Sequence, residues 1–247
     1  MIRKVSLKNF LAIPDFISML NLVFGFLSII MAFNAFTLKG AAVTDNLFYA
    51  AGFIILALFM DSIDGWVARR LGRSDDTDFG KNMDSLCDIV SFGVAPAVLL
   101  YVLSQYQGFN IQYLNIIASL FIVVCGLLRL ARFNVISENS QFKNKFIGLP
   151  IPAGALFLAV FYMSGLFNYE AAMVIMVLVS LLMISDIVYT KISDIKLVLG
   201  VFALIVLAFV WFEFNIYSFN IPAIILSIIL LVYVFAAPVL NFIKAIN

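Results

Sequence analysis

Asp61-Ser62-Ile63-Asp64-Gly65-Trp66-Val67-Ala68-Arg69, followed after ten residues by Gly80-Lys81-Asn82-Met83-Asp84-Ser85-Leu86-Cys87-Asp88, is the stretch on which the fold turns. The run from Phe48 to Met60 before it is apolar, and Ile89 to Leu128 after it carries no Asp, Glu, Lys or Arg. Four aspartates therefore stand in or at the ends of segments apolar enough for a membrane. Each such carboxylate costs about 2.5–3.5 kcal/mol even on the gentler insertion scale. Spacing explains how they can share a site. Asp61 and Asp64 are three apart, and Gly80, Asp84 and Asp88 step by four, so each set occupies one helical face. Gly65 and Ala68 continue the first stripe and leave a cleft beside the carboxylates. The short link from Arg70 to Phe79 makes the two helices antiparallel neighbours. Four carboxylates are expected to converge, with Arg69 beside them.

Composition supports a membrane setting. Of 247 residues, 64% are hydrophobic and 12% charged, more apolar surface than a soluble domain of this length can hide. Lys and Arg number 15 against 14 Asp and Glu, a balance that gives no reason to expect a nucleic-acid partner. There is no histidine, and the two cysteines, Cys87 and Cys125, lie in apolar runs. That removes Cys/His zinc sites, serine–histidine triads and histidine bases. Any metal must be bound by oxygen.

A helical span takes roughly 17–25 mainly apolar residues. Eight segments qualify, at about 16–38, 46–68, 83–105, 112–134, 149–167, 169–189, 196–213 and 217–242. With both termini on one side, fourteen of the fifteen basic residues fall on that side and only Lys39 on the other. Basic loops favour the cytoplasm, so both termini and the aspartate cluster are expected there, in the cell (inner) membrane. The fold class is thus an all-α integral membrane protein of about eight transmembrane helices. Residues 1–13, with Arg3, Lys4 and Lys8 among Ile2, Val5 and Phe10, form either an interfacial helix or a flexible tail. Residues 14–190 read as the functional core and 191–247 as two additional helices.

Oxygen ligands select hard cations, and Mg²⁺ or Mn²⁺ characteristically bridges carboxylates to phosphates. Two such ions would neutralise the cluster and clamp a pyrophosphate during in-line displacement. Asp75, Asp76 and Asp78, between the helices, read as a solvated loop.

The pattern D-x-x-D-G-x-x-A-R, a spacer, then G-x-x-x-D-x-x-x-D resembles the signature of the CDP-alcohol phosphotransferases, matched here at every defining position with a spacer of ten residues. The resemblance implies that Asp61, Asp64 and Asp84 are metal ligands. It makes Asp88 the general base and a ligand of a second ion. It lets the cytidine nucleotide pack on Gly65, Ala68 and Gly80, with Arg69 on its phosphates, and it implies a homodimer.

Leu128-Arg129-Leu130-Ala131-Arg132-Phe133-Asn134 and Gly148-Leu149-Pro150-Ile151-Pro152-Ala153 look like the serine-using branch of that family. So does Ile13-Pro14 followed by Ser18 and Asn21, although the branch more often has Asn where this chain has Asp15. The likeness to that branch implies transfer of a phosphatidyl group from CDP-diacylglycerol to L-serine, releasing CMP. Arg129, Arg132, Asn134 and Lys143 become candidate contacts for serine or lipid phosphate, since a guanidinium suits either anion. The sequence does not divide the two anions between the arginines, which otherwise only mark the positive loop. Asn21 is a candidate nucleotide contact. Ser91 lies on the face of Asp84, where helix packing is the simpler role. Direct attack by serine is expected, because Asp88 offers a base and no activated protein nucleophile stands out. The rivals are a sister enzyme using glycerol 3-phosphate or inositol phosphate, and a cation transporter. The second is disfavoured because no acid lies mid-span in the remaining helices.

Overall fold

The computed structural model describes residues 11–38, 40–71, 78–106, 112–136, 145–190, 195–214 and 219–246. Most of the expected interfacial segment, residues 1–10, lies outside the described residues. Helix α1 spans Ile13–Ala35 and α2 Ala41–Arg70. A single long rod comes next, made of α3 (Phe79–Asp88), a π-helical turn (Ile89–Val94) and α4 (Ala95–Tyr106). Beyond it lie α5 (Gln112–Ile136), strand β1 (Lys145–Ile147), α6 (Ile151–Met163), α7 (Tyr169–Ile184), strand β2 (Val188–Thr190), α8 (Ile195–Glu213) and α9 (Ile221–Ile246).

Local chemistry sets several of these boundaries. Pro14 stands in the first turn of α1, where a missing N–H leaves no bond unmade. The Asp15 carboxylate accepts the Ala12 N–H at 2.8 Å and closes that turn. Asn168 caps α7 by accepting the Ala171 N–H at 2.9 Å. Pro150 caps α6 and Pro152 falls in its first turn, so the prolines begin this helix. The π turn has a cause of the same kind. Pro96 cannot donate a hydrogen bond, and its ring crowds the carbonyl four residues back, at Phe92. Widening the turn relieves that clash, and the Ala95 N–H reaches back to the Val90 carbonyl.

Five helices are long and apolar enough to cross a membrane: Ile13–Ala35, Ala42–Arg70, Phe79–Tyr106, Tyr113–Ile136 and Ile221–Asn241. Ile151–Met163, Tyr169–Ile184 and Leu199–Glu213 are shorter apolar helices. The spans expected at 149–167 and 169–189 are therefore curtailed. Gly165, at φ +75°, turns the chain after α6, and the chain leaves α7 to enter β2. Phe16, Leu20, Val23 and Phe26 of α1 and Ile117, Leu120 and Leu127 of α5 face outward. Apolar surface on that scale belongs in lipid, and the chain is an all-helical integral membrane protein.

Helix α1 packs along α2 and also against α3, the π turn and α4, so it lies between the two aspartate-bearing rods. The backbones come close at Gly25, where a Cβ would stand 2.6 Å from the Cα of Ser91. Small residues at such crossings let membrane helices touch backbone to backbone. α5 packs on α4 and α7, and α6 joins α2 to α9.

Strands β1 and β2 were not expected from the sequence. They pair antiparallel, with Lys145 opposite Thr190 and Ile147 opposite Val188. Tyr189 is buried and donates its hydroxyl to the Val234 carbonyl at 3.0 Å, which docks the ladder on α9. Burial pushes that phenol up to about 12, so it remains a donor at neutral pH. Arg132 locks the same corner. Its two Nη atoms donate to the carbonyls of Ile147, Met183, Ile184 and Ser185 and to Asp186.

Gly148 comes directly after β1 at φ +76°, and a Cβ there would run into the Met183 carbonyl. We predict that Gly148→Ala destabilises the protein by roughly 1–3 kcal/mol, read as a lower apparent Tm in detergent. An unchanged Tm would mean that the corner accommodates a side chain.

Candidate metal and nucleotide site

The last turns of α2 carry Asp61 and Asp64, and α3 brings Asp84 and Asp88 against them. One carboxylate oxygen from each of Asp61, Asp64 and Asp84 lies within 4.8 Å of the others. Asp88, one turn further along α3, lies near enough to Asp61 for their charges to interact. The predicted convergence of two acidic helical faces is present.

Two side chains of α1, three residues apart, hold this group in place. Ser18 donates to the Asp64 carboxylate at 2.6 Å, and Asn21 Nδ2 donates to Asp88 Oδ1 at 2.9 Å. Against that, carboxylates about 5 Å apart repel by on the order of 3 kcal/mol per pair at an effective dielectric near 20. Two charge-assisted hydrogen bonds of about 1.5–3 kcal/mol each do not offset the repulsion summed over the pairs, whereas a bound cation does. The residues fit a hard divalent ion. All donors are oxygens, and Asp84 Oδ1 is buried with no hydrogen-bond partner among the described residues.

Beside the carboxylates opens a cleft of about 290 Å³, lined by Pro14, Asp15, Ser18, Asp64, Gly65, Ala68, Arg69, Gly80, Lys81 and Asp84. Gly65, Ala68, Arg69 and Gly80, singled out from the sequence as a nucleotide surface, therefore share one wall-and-floor arrangement. A Cβ at Gly65 would stand 3.3 Å from Arg69 Nη1, so any side chain there would press on the guanidinium. Arg69 itself is exposed at the rim.

The remaining candidates divide. Arg129 of α5 is 6% exposed and lies near enough to Asp88 and Asp61 to feel their charge. Its guanidinium carbon sits 5.0 Å from the Phe133 ring centroid, and its Nε has no partner among the described residues. Arg132, three residues on, has its Nη donors occupied by the corner between α7, β1 and β2. Asn134 exchanges hydrogen bonds with Ser85 at 2.9 and 3.1 Å, and its carbonyl accepts from Lys81 Nζ. It ties the end of α5 to α3. Ser91 donates to the Asn21 carbonyl at 2.9 Å, a helix-packing role as expected. Lys143, Asp75 and Asp76 lie outside the described residues, while Asp78 is exposed at the start of α3.

Sequence reasoning did not assign Asp15, Ser18, Lys81 and Ser85 to the site. The available signals were the likeness of Ile13-Pro14, Ser18 and Asn21 to the serine-using branch and the spacing of Ser18 and Asn21, two polar residues on one face of a largely apolar helix.

The profile of the CDP-alcohol phosphatidyltransferase family matches residues 11–184. The chain is 42% identical over 193 residues to the archaetidylserine synthase of Methanothermobacter thermautotrophicus, covering 78% of this chain and 76% of that protein. It is 38% identical over 198 residues to the CDP-diacylglycerol–serine O-phosphatidyltransferase of Methanocaldococcus jannaschii, covering 80% and 83%. To the Saccharomyces cerevisiae protein of the latter name it is 40% identical over 164 residues, covering 64% and 56%.

If the three clustered carboxylates hold a cation, neutralising one should weaken it measurably. We predict that Asp61→Asn and Asp84→Asn each lower Mn²⁺ affinity at least ~10–100-fold, measured by titration of the detergent-solubilised protein without substrate. Wild-type affinity in both variants would place the ion elsewhere.

Proposed function

Because the chain belongs to the CDP-alcohol phosphatidyltransferase family, we propose that it transfers a phosphatidyl group from CDP-diacylglycerol to the hydroxyl of L-serine, giving phosphatidylserine and CMP. The observation that carries this reading is the convergence of the Asp61, Asp64 and Asp84 carboxylates beside a cleft of about 290 Å³, in a chain whose relatives differ in the lipid part of their names and agree on serine.

The cleft takes the CDP end of the donor, with Gly65, Ala68 and Gly80 allowing close approach and Arg69 at the phosphates. Lipid tails extend between the helices. Asp61, Asp64, Asp84 and Asp88 would hold two Mg²⁺ or Mn²⁺ ions, which supply neutralisation of the pyrophosphate and of the charge that develops on departing CMP. Asp88 takes the proton of the serine hydroxyl as its oxygen bonds to the lipid-linked phosphorus, and the phosphorus–oxygen bond to CMP breaks in line. No covalent enzyme intermediate is invoked. Arg129 is the anion anchor for the acceptor. A buried guanidinium with an unmade hydrogen bond strongly favours a carboxylate partner.

The same arginine argues against the sister reactions. Glycerol 3-phosphate and inositol phosphate carry more negative charge than serine's carboxylate. They call for further basic groups at the acceptor, yet Arg132 is occupied by backbone carbonyls and Lys81, in the cleft lining, donates to the Asn134 carbonyl. A transporter reading finds no support in acids that cluster at the ends of two helices. In this proposal eight apolar rods span the cell (inner) membrane with termini and site cytoplasmic, residues 14–190 form the catalytic core, and the enzyme is a homodimer.

We predict CMP release from CDP-diacylglycerol in detergent with Mn²⁺ or Mg²⁺ that depends on L-serine. Stimulation by glycerol 3-phosphate or inositol phosphate alone would refute the serine assignment. Asp88→Asn should lower kcat by about 10²–10⁴-fold while CMP still binds, and a wild-type rate would remove Asp88 as the base.

A further inference from the structure

Asn21 is fully buried at the centre of α1, in a position that the cleft does not use. The α1 residues lining the cleft are Pro14, Asp15 and Ser18, one turn earlier. Asn21 instead touches Asp88, through Nδ2 to Oδ1 at 2.9 Å. An ionised carboxylate only accepts, so the amide must present its nitrogen to it. The other end of the amide, Oδ1, has no partner among the described residues, so the Asp88 contact alone orients the side chain.

The backbone beneath Asn21 is fixed as well. Ser91, in the π turn that begins directly after Asp88, donates to the Asn21 carbonyl at 2.9 Å. Gly25, one turn further along α1, removes the side chain that would otherwise force the helices apart at Ser91. Asp88 and Asn21 are thus clamped to each other twice, once through side chains and once through the turn directly after Asp88.

We infer that Asn21 is a positioning residue for the reaction. By holding Asp88 Oδ1 it turns the other carboxylate oxygen toward the acceptor hydroxyl. This rests on the reading of Asp88 as the base. It assigns Asn21 to the chemical step, where the sequence alone suggested a contact with the nucleotide. The two roles give opposite kinetic signatures, since a positioning group acts on kcat and a nucleotide contact on KM.

The test uses the full chain in detergent, with CDP-diacylglycerol, L-serine and Mn²⁺. Misplacing a reacting group by about 1 Å costs ~10²-fold in rate. Asn21→Ala should therefore lower kcat by roughly that factor, with the KM for CDP-diacylglycerol and the half-saturating Mn²⁺ concentration within about twofold of wild type. Ser91→Ala keeps the amide but loosens its backbone, and should show a smaller fall in kcat with the same unchanged KM. A raised KM for CDP-diacylglycerol at wild-type kcat in Asn21→Ala would restore the nucleotide contact and overturn the inference, as would wild-type kinetics. If Asn21→Ala fails to fold, Asn21→Ser is judged by the same criteria. Wild-type protein that ignores serine but turns over with another alcohol would sink the serine assignment, while Asn21 remains testable with that alcohol.

Discussion

Mutual repulsion among closely set carboxylates, two buried and two half-buried, is the constraint around which this molecule is arranged. Asp61, Asp64, Asp84 and Asp88 would separate if the helices allowed it, and in an apolar surrounding they could not all remain charged without cations. The fold answers by wedging α1 between the two acidic rods. Ser18 and Asn21 give each rod one hydrogen bond, to Asp64 and Asp88 respectively. Each bond, ending on a carboxylate, contributes about 1.5–3 kcal/mol, less than the summed repulsion but enough to fix where the oxygens point. The geometry is stiff before any ligand arrives.

Stiffness of this kind requires close backbones, and small side chains supply them. Ala50, Ala51 and Ala57 of α2 are fully buried, and Gly25 meets the π turn at Ser91. Without a water-driven hydrophobic force between helices in lipid, van der Waals contact at such crossings does much of the work. The π turn belongs to the same scheme. Pro96 forces a wider turn, and that turn places Ser91 against α1 immediately beyond Asp88. A defect in helical regularity and the end of the acidic stripe coincide, as happens often where π turns adjoin functional groups.

The corner held by Arg132 obeys a different logic. There Arg132 gathers four carbonyls from the ends of α7 and β1, which in a regular helix would have needed water or caps. Arg129, one turn earlier on α5, faces the acids. Two arginines that look equivalent in sequence therefore stand in different surroundings, one tied to backbone carbonyls that close the fold and one buried near the aspartates.

The sequence by itself determined the membrane class, the acidic faces of two adjoining helices and the oxygen-only donor set. Period, composition and the absence of histidine are local properties that survive any packing. It also located the apolar segments, of which five among the described residues are helices long enough to cross a membrane, while those expected at 149–167 and 169–189 are cut short. It did not reveal the β1–β2 ladder, since three-residue strands leave no alternation to read and pair residues some forty positions apart. Nor did it distinguish Arg129 from Arg132 or place Asn21 against Asp88. Those outcomes depend on which helix crosses which and at what height, and only the tertiary structure decides that: hydrogen bonds between distant side chains form where close backbone packing permits them.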